Sequence, residues 1–209
     1  MIYFLRFIDL NTTFFKWSSW DKGDKIVVDS HLITMGGLSR LSYTGHSKVH
    51  NLVRTTRPIP KNSTSFYFEA KILDSGSNEI IGIGITEADP NTRSGVFPGW
   101  STYSTLGIGY HGDDGGIFYK NSQKIDSNET FTTGDVVGCL VYHTNIENDP
   151  LTFVRFTKNG EEINFSRLVK NANWYPTIGM ASPGSSVEVN FGEHPFLYTE
   201  KGNVSRNNP

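Results

Sequence analysis

The groups in this chain whose types suit covalent or metal chemistry are one cysteine, six histidines and 21 acidic residues. Cys139 and His143 stand four apart, as a nucleophile and its base might. The surrounding run reads as a strand, which places them about 13 Å apart. A dyad needs hydrogen-bond reach, so Cys139 reads as a small core residue. His111, Asp113 and Asp114 suggest a metal cluster or a carboxylate pair. A metal needs three or four converging ligands, whereas adjacent turn residues point apart. These aspartates are expected to accept turn N–H groups instead. Gly107 to Gly112 matches G-x-G-x-x-G, but pyrophosphate binding needs a helix N-terminus next. Here Asp113-Asp114-Gly115-Gly116 follows, a turn whose carboxylates repel phosphate. No G-x-S-x-G, H-E-x-x-H or P-loop pattern is present. His31, His46, His50 and His194 are scattered. No catalytic or metal residue is expected.

Binding chemistry is better represented. Arg54-Thr-Thr-Arg-Pro-Ile-Pro60 is basic and stiffened by proline. A rigid loop presents side chains at low entropic cost, and an Arg fork can grip carboxylates or carbonyls. Val96-Phe97-Pro98-Gly99-Trp100 is an apolar loop, with Trp100 expected to anchor in the core. Tyr103 and Tyr110 are candidates to line a pocket with outward hydroxyls.

The elements that must position these residues are strands. The chain has four Ala against many Thr, Ser, Asn and Gly, and 13% aromatics. That composition favours strands over helices. Ser65–Leu73 alternates cleanly, with Phe66, Phe68, Ala70 and Ile72 on one face. Ile80–Thr86 sets Ile81, Ile83 and Ile85 against Gly82 and Gly84, and glycines on one strand face signal close packing of another group. Further strands are expected at 26–28, 31–35, 41–43, 106–111, 136–143, 151–157, 174–180 and 187–191. Asn159-Gly160 is a hairpin signal. No helical stretch beyond about ten residues is evident. The fold class is all-β, an antiparallel sandwich.

A length of 209 residues suits one domain with short flanks. Residues 1–24 are expected to form an aromatic-rich arm or short helix, 25–198 the sandwich, and 199–209 a frayed tail. A single cysteine excludes an internal disulfide and fits a reducing, cytoplasmic or nuclear setting. The formal charge of -2 provides no field for nucleic acid or anionic lipid. No apolar run approaches a membrane span, and residues 1–10 lack the features of a signal peptide. The five N-x-S/T sequons are attributed to chance in so polar a chain. The expected partner is a protein or peptide, with no nucleic acid, membrane or cofactor, and the chain is expected to be monomeric.

Several segments resemble the SPRY domain family, and within it the Ran-binding-protein-like branch. Phe66-Tyr67-Phe68-Glu69 and Gly82-Ile83-Gly84-Ile85 are similar to its Y-F-E-V and G-I-G-L strands. Pro98-Gly99-Trp100 and Gly109-Tyr-His-Gly-Asp-Asp-Gly115 resemble its P-G-W and Y-H-G-D-D-G signatures. Phe131 to Cys139, Phe156 to Gly160, Tyr175 to Gly179 and Asn190-Phe-Gly192 match later motifs in order. The likeness runs from about residue 40 to 198.

The resemblance implies a bent sandwich of two antiparallel sheets, without catalysis, whose loops capture short peptides of partner proteins. It places Arg54, Thr55, Arg57, Pro58 and Ile59 in one loop of that surface. Asn91, Arg93, Phe97, Tyr110, Ala181, Ser182, Pro183 and Gly184 fall in the others. Some members that grip Asp/Asn-rich peptides carry Trp-Gly in the last of these loops, where this chain has Ser182-Pro183-Gly184. Two rival readings are a lectin-like carbohydrate-binding sandwich and a secreted effector on the same fold.

Overall fold

The computed structural model describes residues 15–29, 38–61, 63–88, 96–100, 107–120, 122–144, 151–170 and 172–199. The strand expected at 31–35, Asn91, Arg93 and Tyr103 therefore lie outside the described residues. Among those described there are fifteen strands and no helix.

In chain order the strands are β1 (Trp17–Lys22), β2 (Ile26–Asp29), β3 (Ser39–Tyr43), β4 (Asn51–Thr55) and β5 (Ser65–Asp74). Then come β6 (Ile81–Glu87), β7 (Gly107–His111), β8 (Gly116–Tyr119), β9 (Gln123–Asp126) and β10 (Val136–His143). The rest are β11 (Leu151–Lys158), β12 (Glu161–Glu162), β13 (Arg167–Lys170), β14 (Trp174–Met180) and β15 (Ser186–Asn190).

Sheet A has the order β1-β4-β14-β6-β7-β8-β9. Sheet B has the order β12-β11-β10-β5-β15-β3-β2, with β13 also on β11. Every strand pair is antiparallel. Within residues 1–24, expected as an aromatic-rich arm or short helix, 17–22 form the strand β1 of sheet A.

Period-2 alternation decides which side chains meet between the sheets. Ile83, Ile85, Tyr110 and Ile178 of sheet A pack into one core with Phe68, Ala70, Cys139, Val141 and Phe156 of sheet B. Tyr110 and Phe156 bridge the sheets with ring centroids 5.9 Å apart. Cys139 is fully buried, and burial pushes its thiol upward from the ordinary cysteine range.

The Asn159-Gly160 hairpin forms as its dipeptide predicts. Lys158 pairs with Glu161, and the two turn residues have φ of 51° and 82°. Two positive φ values in a two-residue loop are the signature of a type I′ turn. A Cβ on Gly160 would sit 3.1 Å from the Leu197 carbonyl in an unfavourable backbone region. Gly160→Ala is expected to lower stability by about 1–2 kcal/mol in urea unfolding, with the fold unchanged by circular dichroism.

Candidate functional site

The register of β14 decides which loops are neighbours. Met180 pairs with Asn51 on one side and with Ile81 on the other. The loops before β4 and before β6 and the loop after β14 thus share one end of sheet A. The loop after β4 lies at the opposite end, where Ile59 N–H donates to the Trp174 carbonyl at 2.7 Å. Seven strand residues separate these ends by about 20 Å. Arg57 and Pro58 are therefore not brought together with Pro183 and Gly184.

Arg54 faces away from the core, on the outer side of sheet A, yet it is fully buried. Its Nε–H donates to Thr86 Oγ1 at 2.8 Å, and Nη1 pairs with Asp21 Oδ1 at 3.0 Å. Thr86 Oγ1 lies 2.8 Å from Thr177 Oγ1, which joins β6 to β14. Arg54 is thus a strut that ties β1 to β4 and β6, its guanidinium covered and held by Asp21 and Thr86. Thr55, Ile59, Phe97, Ala181 and Ser182 are buried as well. Tyr110 is buried too, and its hydroxyl donates to the Glu129 carbonyl at 2.6 Å, not outward into a pocket. Burial pushes that hydroxyl up to about 12. Of the described candidates, Arg57, Pro58, Pro183 and Gly184 reach solvent.

The outer face of sheet A explains its glycines. Phe97-Pro98-Gly99-Trp100 is closed by two backbone hydrogen bonds between Phe97 and Trp100, at 2.9 and 3.0 Å. Pro then Gly at the centre, with Gly99 at φ 74°, fits a type II turn. This turn lies across Gly179 of β14, Gly82 of β6 and Gly109 of β7. A Cβ at Gly82 or Gly179 would come 2.8 Å from the Phe97 ring, and one at Gly109 would come 2.5 Å from Pro98. Two histidines clasp the turn. His50 lies 4.9 Å from Phe97 and 4.8 Å from the partly exposed ring of Trp100. His111 stands edge-on to Phe97 at 5.2 Å and stacks on Phe118 at 4.4 Å. Its Nε2 is 2.8 Å from the Pro98 carbonyl. A carbonyl only accepts, so Nε2 carries the proton.

The neighbouring loops at this end are locked together. Ser77 N–H donates to the Pro183 carbonyl at 3.1 Å, and Ala181 N–H to the Ile80 carbonyl at 3.0 Å. Asn78 N–H donates to Ser182 Oγ at 2.8 Å. The loop 44–50 wraps the Tyr43 hydroxyl, which lies 2.8 Å from the Val49 carbonyl. Val49 itself is 41% exposed. The signal for this loop in the sequence is Gly45, seated against the Tyr43 ring, between two strand runs. Asp114 accepts the Gly116 N–H at 2.8 Å, as the turn reading expected. Among the described residues, no three His, Cys, Asp or Glu groups are placed to hold a metal ion.

A protein-family model described as SPRY domain matches residues 65–194. The chain belongs to the SPRY domain family. Ran-binding protein 9 of Xenopus laevis is 38% identical over 183 residues, which are 86% of this chain and 31% of that protein. The human protein of that name is 37% identical over 86% of this chain and 23% of its own length. The Ran-binding proteins 9/10 homolog of Drosophila melanogaster is 36% identical over 87% of this chain and 18% of its own length. The chain thus spans a third or less of these curated relatives. A human SPRY domain crystal structure superposes with a TM-score of 0.65 at 24% identity, covering 86% of this chain and 99% of that one. The SPRY domain of human HERC1 gives 0.59 at 16% identity, covering 86% of this chain and all of that one, 100%. No helix among the described residues is long and apolar enough to cross a membrane.

Two measurements check this geometry. Removing one partner of a buried ion pair strands the other, at a cost of about 3–5 kcal/mol. Arg54→Ala should therefore lower the melting temperature sharply instead of weakening a ligand selectively. The second measurement is pH dependence. Burial holds His111 down at about 4, against 6.5 ordinarily, and burial also lowers His50. A depressed histidine is neutral in the fold, so its stabilisation is complete above pH 6.5 and is lost as pH falls toward 4. Urea midpoints should fall across that window in the wild type. In His111→Gln, which keeps a donor for Pro98 without titrating, the slope should be shallower by roughly one proton.

Proposed function

We propose that this SPRY domain is a non-catalytic protein-interaction module that docks short peptide segments of partner proteins. The docking surface is the end of sheet A where the loops 44–50, 75–80 and 181–184 meet the turn 97–100. The observation that supports it most is the rigid rim described above. Loops 75–80 and 181–184, joined by backbone bonds, and loop 44–50, held by the Tyr43 hydroxyl and by His50 against Phe97 and Trp100, present Val49, His50, Trp100 and Pro183 with little left to order on binding. Gly184, at φ 85° with no atom within 4 Å of a built Cβ, leaves an open approach beside Pro183. The buried candidates Ser182, Ala181 and Phe97 support this rim from beneath.

The curated relatives carry names that denote binding of the protein Ran. For this chain the reading extends to a protein partner as a class. Arg57 and Pro58, at the far end, form a separate exposed corner outside the docking surface.

The test is affinity capture of binding partners on three chains, read by mass spectrometry. Val49→Asp combined with Pro183→Asp places charge on the rim, and Arg57→Glu reverses charge at the far end. Partners should be lost from the first variant and kept by the second, with both melting temperatures close to wild type. The reverse pattern would move the surface to the Arg57 corner.

A further inference from the structure

A second binding arrangement lies on the other sheet, away from the loop rim. After β15 the chain turns back, and residues 195–199 cross the outer face of sheet B outside any strand. The buried carboxylate of Glu69 on β5 receives this segment. Its Oε2 accepts the Leu197 N–H at 3.0 Å, and its Oε1 accepts the Tyr198 N–H at 2.9 Å. Two successive backbone amides on one carboxylate are charge-assisted bonds that read backbone shape more than side-chain identity. Rings add the sequence preference. Phe196 stands edge-on to Tyr67 at 4.9 Å, and Tyr198 packs on the same ring at 5.3 Å. The Tyr198 hydroxyl donates to Glu162 Oε1 at 2.5 Å.

The seat is shaped for this. The Tyr67 hydroxyl lies 2.9 Å from Glu69 Oε1 and 2.8 Å from Thr157 Oγ1, which fixes the carboxylate. It passes over Gly138, where any Cβ would collide with it. Leu140 and Tyr67 form, with Tyr198, a small apolar cluster separate from the main core. Leu197 points out and is 54% exposed. The face thus recognises an aromatic residue, a spacer and a tyrosine, with both following amides presented to one acid.

We propose that this face is a peptide-binding seat occupied in cis by Phe196-Leu197-Tyr198, and that it accepts a partner segment of the same aromatic-x-Tyr chemistry when the strap lifts. The strap is the built-in competitor. A tethered ligand acts at an effective concentration of about millimolar, so an outside segment binds weakly until the strap is weakened. The seat and the loop rim face different directions and are independent of each other.

The probe is a labelled peptide of residues 193–199, Glu-His-Pro-Phe-Leu-Tyr-Thr, titrated into the full chain by fluorescence anisotropy. Phe196→Ala with Tyr198→Ala weakens the strap and leaves the seat intact; this chain should bind the peptide at least about tenfold more tightly than wild type. Adding Glu69→Gln to it should abolish the gain. A second measurement does not depend on that variant folding. Amide exchange at Leu197 and Tyr198 in the otherwise wild-type Glu69→Gln chain should accelerate at least tenfold over wild type, while the β10 amides keep their protection. Equal peptide binding by folded wild-type and strap-weakened chains, or unchanged exchange at Leu197 and Tyr198, overturns the proposal. Concentration-dependent wild-type dimers that vanish with Glu69→Gln would also overturn it, in favour of strap exchange between copies.

Discussion

The central strands of sheet A are covered on both faces, and much of the molecule follows from how that second face is closed. Antiparallel sheets commonly leave one face to water. Here every residue of β4 and β7 is buried, and β6 is buried up to its last position. The inner face closes with isoleucines and aromatics in the ordinary way. The outer face closes by two unlike devices. Toward β1 it is a polar network in which Asp21, Arg54, Thr86 and Thr177 satisfy one another. Toward the loop rim it is an apolar turn laid on bare backbone, possible because Gly82, Gly109 and Gly179 offer no Cβ. Neither device tolerates a stray polar atom or an added methyl, because a buried group without a partner costs more than the bond it forgoes.

This closure also builds the end proposed for docking. The turn that covers the glycines carries Trp100 to the rim, and the histidines that clasp it come from loop 44–50 and from β7. The rim is stiff because the sheet beneath it is doubly packed, which is what a docking surface with little entropy to lose requires. The same physics recurs on sheet B with the polarity reversed. There a chain segment, not a turn, covers the outer face, and a carboxylate, not an aisle of glycines, fixes it.

Local signals carried a large part of the fold. Asn159-Gly160, the isoleucine–glycine alternation of β6 and the apolar face of β5 are each set by residues close in sequence, and each folds as read. β4 escaped such reading. Asn51-Leu-Val-Arg-Thr55 shows no alternation because both its faces are buried, one against the core and one under the Arg54 network. Its arginine looked like a surface residue, since a buried guanidinium needs a partner and Asp21 lies 33 positions away. Tyr110 is illegible for a similar reason: the carbonyl that accepts its hydrogen bond belongs to Glu129, 19 positions on. Loop 44–50 is silent on function in the sequence because its place in the proposed surface comes from adjacency to residues 97–100 and 181–184.

The residue order alone therefore specifies the local grammar: an all-β chain, its Asn-Gly hairpin, a core cysteine, and the motifs of the SPRY family. Those features depend on backbone sterics and on side-chain period, which act over a few residues. The tertiary structure alone decided which loops share an end, which charges are inside and which rings face solvent. Those are outcomes of strand order and register, through which pairing of β14 with both β4 and β6 sets Arg57 and Pro183 at opposite ends of sheet A and brings His50 against Phe97.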